Sequence, residues 1–423
     1  MSFRNSRAML GAAALLALSG GLSGCSGHGK HTTEGLAMAQ QRLSGFKAGS
    51  EWDMAKQQFL SGELDKALKS VNKSIALNDS VARSHTLRAR ILMEMGQLEE
   101  ALEAVRTART IDPTFVEAHY YEGVLHERFS EYDDALACFA EAATLDPSDP
   151  QHAIAAAEML IELDRLDEAE RLLEDRRSRH AHSAGVRQTL GHLALMRGES
   201  SKAADLFGEA RLLAPDDPAL AEDYARALFA SERYAEAEPA LQRLLDRPQD
   251  ATPPGVRTVA QKTRKEPAPT RRDLELMRAR CLIALHRPAE ARSILLGLTS
   301  GPEGAGDAQA WIALGQVAHT LKDPQRLRIA ANRAIALAPD RSEGSLLLAA
   351  YRMDAGDLPG ALRTAQDAAA RFPKDASIQL LCGVILSELN RHDEAAQALA
   401  AALALDPKNE RTASLLAAVE SVD

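Results

Sequence analysis

Residues 82–115 read ARSHTLRARILMEMGQLEEALEAVRTARTIDPTF, and residues 116–149 read VEAHYYEGVLHERFSEYDDALACFAEAATLDPSD. Laid one above the other, Ala89 meets Gly123, Ala101 meets Ala135, Ala108 meets Ala142 and Pro113 meets Pro147. The step is 34 residues, and it extends in both directions. Ala67, Ala101, Ala135, Ala169, Ala203 and Ala237 form one column; Ala55, Ala89, Gly123, Ala157, Gly191 and Ala225 form another, twelve residues ahead of it. Self-similarity at this period marks a helical array. Small residues in paired columns let two helix axes approach at the short end of the usual range of about 8–10 Å. Pro113, Pro147 and Pro215 lack the N–H that would continue a second helix. Gly96, Gly198 and Gly356 fall at the turn within a hairpin, where a left-handed residue is wanted.

Composition agrees. The chain has 423 residues with only 4% aromatics, and Ala, Leu, Glu and Arg dominate, which suits helices better than strands. A net charge of −10 argues against non-specific nucleic-acid binding, which depends on neutralising phosphates.

The repeat pattern resembles the tetratricopeptide repeat family. Trp311, Leu314 and Gly315 reproduce that family's W-x-x-L-G opening, with Ala334 and Pro339 at the later offsets. The frame places repeats at 48–81, 82–115, 116–149, 150–183, 184–217 and 218–251, then at 272–305, 308–341, 342–375 and 376–409. The resemblance implies an all-α fold: a right-handed α-α superhelix of ten hairpins. Residues 410–423, with Leu415, Leu416 and Val419 on one face, would cover its open end. Arg176, Leu244 and Leu298 stand where the family usually has Ala, and Leu327 replaces an anchor alanine. Repeats 150–183, 218–251 and 272–305 are therefore expected to pack less closely. Residues 252–271 carry Pro253, Pro254, Pro267 and Pro269 among Arg257, Lys262, Arg264, Lys265 and Arg271. They read as an exposed basic insert dividing six repeats from four.

The amino terminus has its own logic. Met1 to Arg7 carries two arginines and no acid, Ala8 to Gly21 is apolar, and Leu22-Ser23-Gly24-Cys25 closes the segment. This reads as an export signal over residues 1–24. Its ending resembles the bacterial lipobox, which implies lipid attachment at Cys25 and a chain held by its acyl groups, each buried methylene adding about 0.8 kcal/mol. Ser26, rather than Asp, resembles proteins sorted to an outer membrane, facing the periplasm. Residues 25–47 are expected to form a tether. Cys138, Cys281 and Cys382 are scattered, without C-x-x-C spacing, and are expected as small apolar residues within helices.

Enzymatic constellations are lacking: there is no phosphate-cradling Gly-rich loop, no G-x-S-x-G, no H-E-x-x-H and no calcium loop. No cofactor or metal is expected. His119 and His126 are seven residues apart, and His180 and His182 flank Ala181 beside Arg176, Arg177 and Arg179, which would oppose a cation.

The resemblance implies that a protein or peptide partner lies in the concave groove lined by first helices. There the frame places Lys56, Arg83, Thr86, Arg90, Tyr120, Val124 and Glu127, then Glu158, Gln188 and His192. The basic start, with Tyr120 as aromatic anchor, suits an acidic or carboxylate-ended peptide. The two-asparagine clamp of the family's chaperone-binding members has no counterpart on these helices. The whole is similar to envelope tetratricopeptide lipoproteins that assist assembly of pili, outer-membrane proteins or exopolysaccharide export machines. Such a protein is a non-catalytic scaffold. The alternative is an accessory subunit that presents substrate to a glycan-synthesis or protease complex.

Overall fold

A computed structural model describes residues 30–247 and 269–421, and every regular element among them is helical. The signal segment, Cys25 and most of the basic insert lie outside the described residues. The chain divides into two compact units, 1–125 and 126–423.

In the first unit, α1 (Lys30–Leu60) pairs with α2 (Leu64–Leu77) and α3 (Ala82–Glu94) with α4 (Leu98–Ile111), and most of α5 (Val116–Arg128) follows. Ala55, Ala67, Ala89 and Ala101 are fully buried, as the small-residue columns require. Trp52 and Phe59 pack beside the core formed by Val71, Leu87 and Ile91. The segment expected as a tether is helical from Lys30 onward. Its Leu36, Ala37, Met38, Ala39 and Leu43 are good helix formers with no proline among them, so α1 extends well ahead of its hairpin partner.

The second unit continues the pattern. The hairpin partners are α7 (Pro150–Glu162) with α8 (Leu166–Arg179), α9 (Ala184–Met196) with α10 (Ser200–Leu213) and α11 (Pro218–Ala230) with α12 (Tyr234–Leu245), after α6 (Tyr132–Leu145). Then come α13 (Arg271–Ala284) with α14 (Pro288–Thr299), the short α15 (Gly301–Ala305), and α16 (Ala308–Thr320) with α17 (Pro324–Leu337). The pairs α18 (Glu343–Asp354) with α19 (Leu358–Arg371) and α20 (Ala376–Glu388) with α21 (His392–Leu405) precede α22 (Glu410–Glu420). Leu415, Leu416 and Val419 of α22 close the last core, as expected of a terminal helix.

The frame is visible in the backbone. Gly62, Gly96, Ser130, Asp164, Gly198 and Glu232 all have positive φ and follow one another at the repeat step. His286, Lys322, Gly356 and Asn390 occupy the same turn in the later hairpins. Each hairpin therefore reverses through one left-handed residue, although only four of the ten are glycine.

The hairpins α7/α8, α11/α12 and α13/α14 are among the more loosely apposed, in line with the larger residues Arg176, Leu244 and Leu298, whereas Leu327 is fully buried in a closely packed pair. The helices on either side of the basic insert meet. Helix α13 packs directly on α12, where Arg278 Nε donates to Glu238 Oε1 at 3.0 Å and Arg271 Nη1 to the Leu245 carbonyl at 2.9 Å. Cys281 joins the same core as Leu241. Helix α13 thus stacks on α12 as the next hairpin of the array.

Cys138, Cys281 and Cys382 are free and buried. Burial pushes the Cys281 thiol up to about 12, consistent with an inert packing role. Among the described residues no helix is long and apolar enough to cross a membrane.

Candidate partner-binding face

In the first unit the first helices bring cations and rings together. Trp52 on α1 lies under two of them: Arg83 of α3 stands 4.6 Å from its ring centroid and Lys56, one turn along, 5.3 Å. Trp52 Nε1 also donates to the Arg83 carbonyl at 3.3 Å, which fixes the indole against α3. Arg90 sits between two rings, 5.1 Å from Phe59 of α1 and 5.0 Å from Tyr121 of α5. Tyr120 meets Tyr121 edge-on at 5.4 Å. Burial raises the Tyr121 phenol above its ordinary range, and the Arg90 charge partly opposes that shift.

Such stacking is worth about 0.5–2 kcal/mol per pair and holds each cation over its ring while its N–H groups stay able to donate. Lys56 and Arg83 are exposed and Arg90 is half-buried. Among the described residues none of the three has a carboxylate at ion-pair distance. Two further cations of the unit share one acid: Arg109 Nη1 lies 2.6 Å from Glu122 Oε2 and Arg106 Nε 3.4 Å from Glu122 Oε1. Thr86 turns inward, donating to the Ala82 carbonyl.

The sequence frame named the cations and Tyr120 but missed Trp52, Phe59 and Tyr121. Two of these were within reach, because Trp52 shares a repeat column with Tyr120, and Phe59 one with Glu127. Tyr121, the ring that Arg90 meets, is one residue removed from the expected anchor.

The groove positions of the second unit behave differently. Glu158 and His192 are 5% and 7% exposed, and Gln188 is equally buried. Helix α7 is buried continuously from His152 to Ile161, since its alanines and aliphatic residues leave no wide polar face. Gln188 Nε2 donates to Asp223 Oδ2 at 3.1 Å, and His192 Nε2 lies 3.2 Å from the same oxygen. Gln188 binds α9 to α11, and His192 is buried beside the same carboxylate instead of lining an open surface. Glu127 of this unit is half-buried, as is Val124 of the first.

The histidines singled out by spacing are engaged locally. His119 Nε2 lies 2.7 Å from the Pro113 carbonyl, and His126 Nδ1 lies 2.6 Å from Glu131 Oε2. His126, Glu131 and Asp134 bring three ligand-type atoms within 4.8 Å of one another at a hairpin turn, two of them on exposed carboxylates.

Two family profiles, both described as tetratricopeptide repeat, match the chain, one over residues 86–150 and one over 129–193, 194–262 and 352–419. Together they span more than half of it. The chain belongs to the tetratricopeptide repeat family. Tetratricopeptide repeats are typically non-catalytic scaffolds that bind protein or peptide partners. A comparison with curated proteins finds no match. Among solved structures, the Cut9–Hcn1 hetero-tetramer of APC/C is 13% identical, with 92% of this chain and 94% of that chain covered and a TM-score of 0.43. A tetratricopeptide repeat protein from Parabacteroides merdae is 17% identical over 64% of this chain and 99% of its own, with a TM-score of 0.42. TTC0263 from Thermus thermophilus is 21% identical over 43% and 98%, with a TM-score of 0.36.

Proposed function

We propose that this tetratricopeptide chain is a non-catalytic scaffold that holds an acidic or carboxylate-ended peptide segment on the first-helix face of residues 1–125. The observation that carries the reading is the arrangement of Arg83 and Lys56 on Trp52, and of Arg90 between Phe59 and Tyr121. In a chain with ten more acids than bases, three neighbouring cations are laid on rings and left without carboxylate partners among the described residues. A carboxylate arriving here completes charge-assisted hydrogen bonds, and the rings supply flat apolar contact beside it. The cations are already held, so binding needs little ordering of the receptor.

The scaffold works at a bacterial cell envelope, held through a lipid on Cys25 and facing the periplasm at the outer membrane. Assembly of pili, outer-membrane proteins or an export machine is the setting this anchor suits. The support is the ordering of basic start, apolar run and Leu22-Ser23-Gly24-Cys25.

Photocrosslinking in intact cells tests the first part. A photoreactive residue at Tyr120 is expected to capture a segment rich in Asp and Glu or ending in a free carboxylate; consistent capture of neutral or basic segments overturns the reading. Cell fractionation tests the second. Cys25→Ser is expected to release a folded protein from membranes, and its continued retention there overturns the anchor.

A further inference from the structure

One contact is made twice in the first unit. Arg83 of α3 lies over Trp52 of α1, and Arg90 of α3 lies over Phe59 of α1. In each pair the cation follows its ring by the same number of residues, and the two rings, like the two cations, are seven residues apart. Seven residues are close to two full turns, so the second contact repeats the first on the same side of both helices, about 10.5 Å further along. The residues of α3 between the cations on that side, Thr86 and Leu87, are buried. No side chain of that helix face therefore stands between the two guanidinium groups.

A segment that meets both cations needs two carboxylates at about that separation, on one side of its own backbone. In a β-strand, residues on one side recur at about 6.7 and 13 Å, which fall to either side of it. An α-helix meets it with acids seven residues apart, but a short free segment would first have to nucleate two turns, which is unfavourable in water. A polyproline II chain brings every third residue to the same side at about 9.3 Å, needs no internal hydrogen bonds and is already populated in unfolded chains. Glutamate and arginine side chains reach across the remaining gap of about 1 Å by small torsional changes.

We propose, resting on the acidic-peptide reading, that this face selects spacing as well as charge: its partner segment carries two acids three residues apart in an extended, polyproline II-like stretch. One carboxylate meets Arg83 at the Trp52 station and the other meets Arg90 between Phe59 and Tyr121. Because the rings hold both cations in place, the separation of the stations is fixed before the segment arrives.

Fluorescence anisotropy with the full chain tests this. The probes are end-blocked peptides of equal length and composition, each with two glutamates in a neutral background, set one, three, five or seven residues apart, beside a neutral peptide with glutamine at both positions. The three-residue spacing is expected to bind about tenfold more tightly than the one- and five-residue spacings, which can make only one of the two charge-assisted bonds. In Arg90→Ala, with helical circular dichroism unchanged, that preference is expected to vanish. Equal affinity for all the acidic peptides, each above the neutral one, overturns the spacing and leaves the acidic reading standing. Acidic peptides that bind no more tightly than the neutral one remove that reading, and the spacing with it. Tightest binding at seven residues assigns the face to a helical ligand and overturns the proposal, as does tightest binding at one or five.

Discussion

Phe207 fills the space that a side chain on Gly191 would need: a Cβ on Gly191 would lie 2.7 Å from Phe207 Cε1. The same compensation recurs at Gly383, where a Cβ would meet Leu399 at 2.6 Å. Where the first-helix column holds Ala instead, as at Ala55 and Ala89, the facing residue is the smaller Val71 or Val105. At Gly191 and Gly383 the missing side chain is thus replaced by the volume of the residue facing it.

Gly191→Ala is therefore expected to cost about 1–3 kcal/mol by overpacking. Phe207→Leu alone leaves a void and is also destabilising. The double variant should lose clearly less than the sum of the two, as expected for residues in contact. Chemical denaturation of the four proteins measures the coupling, and strict additivity would contradict the pairing.

The turn position offers a test of opposite sign. Lys322 has φ of 54° and Asn390 of 59°, both in the left-handed region. Lysine is poorly suited to that region, whereas asparagine tolerates it. Lys322→Gly is expected to raise stability by about 0.5–1 kcal/mol, after the entropy glycine adds to the unfolded chain. Asn390→Gly should gain less. Gly96→Ala, at φ 77°, should lose stability by about 1 kcal/mol. Thermal unfolding midpoints rank the three.

The buried thiols predict a simple chemical behaviour. Burial raises the Cys281 and Cys382 thiols above the ordinary range, so little thiolate forms at neutral pH. Neither is expected to react with iodoacetamide in the native state, and both should react promptly in denaturant. Mass spectrometry of modified peptides reads this out, and rapid native alkylation of Cys281 would contradict its place in the core.

Much of the fold was legible in the sequence because its constraints act on single residues at a fixed step. Close helix approach needs Ala or Gly at Ala55 and Ala67, and Gly96 and Gly356 mark turns. Six non-glycine turn residues, from Ser130 to Asn390, hid the same device, because repeat context overrides intrinsic preference. The binding face was only half legible. Lys56, Arg83 and Arg90 were found by frame position and charge. Which ring each cation meets depends on packing between successive first helices, which no spacing along one helix reports. For the same reason Glu158, Gln188 and His192 looked like groove residues, while Gln188 and His192 in fact converge on Asp223.

Binding of a short Glu- and Asp-rich peptide with a free carboxyl terminus, followed by calorimetry, tests the central claim most directly. Its control is the amidated Gln and Asn counterpart. The wild-type protein is expected to bind the acidic peptide selectively, and more weakly as salt rises. Arg83→Ala and Arg90→Ala should each weaken it about tenfold, the loss of one charge-assisted bond. Equal affinity for the two peptides, or full affinity after both arginines are removed, would contradict the account.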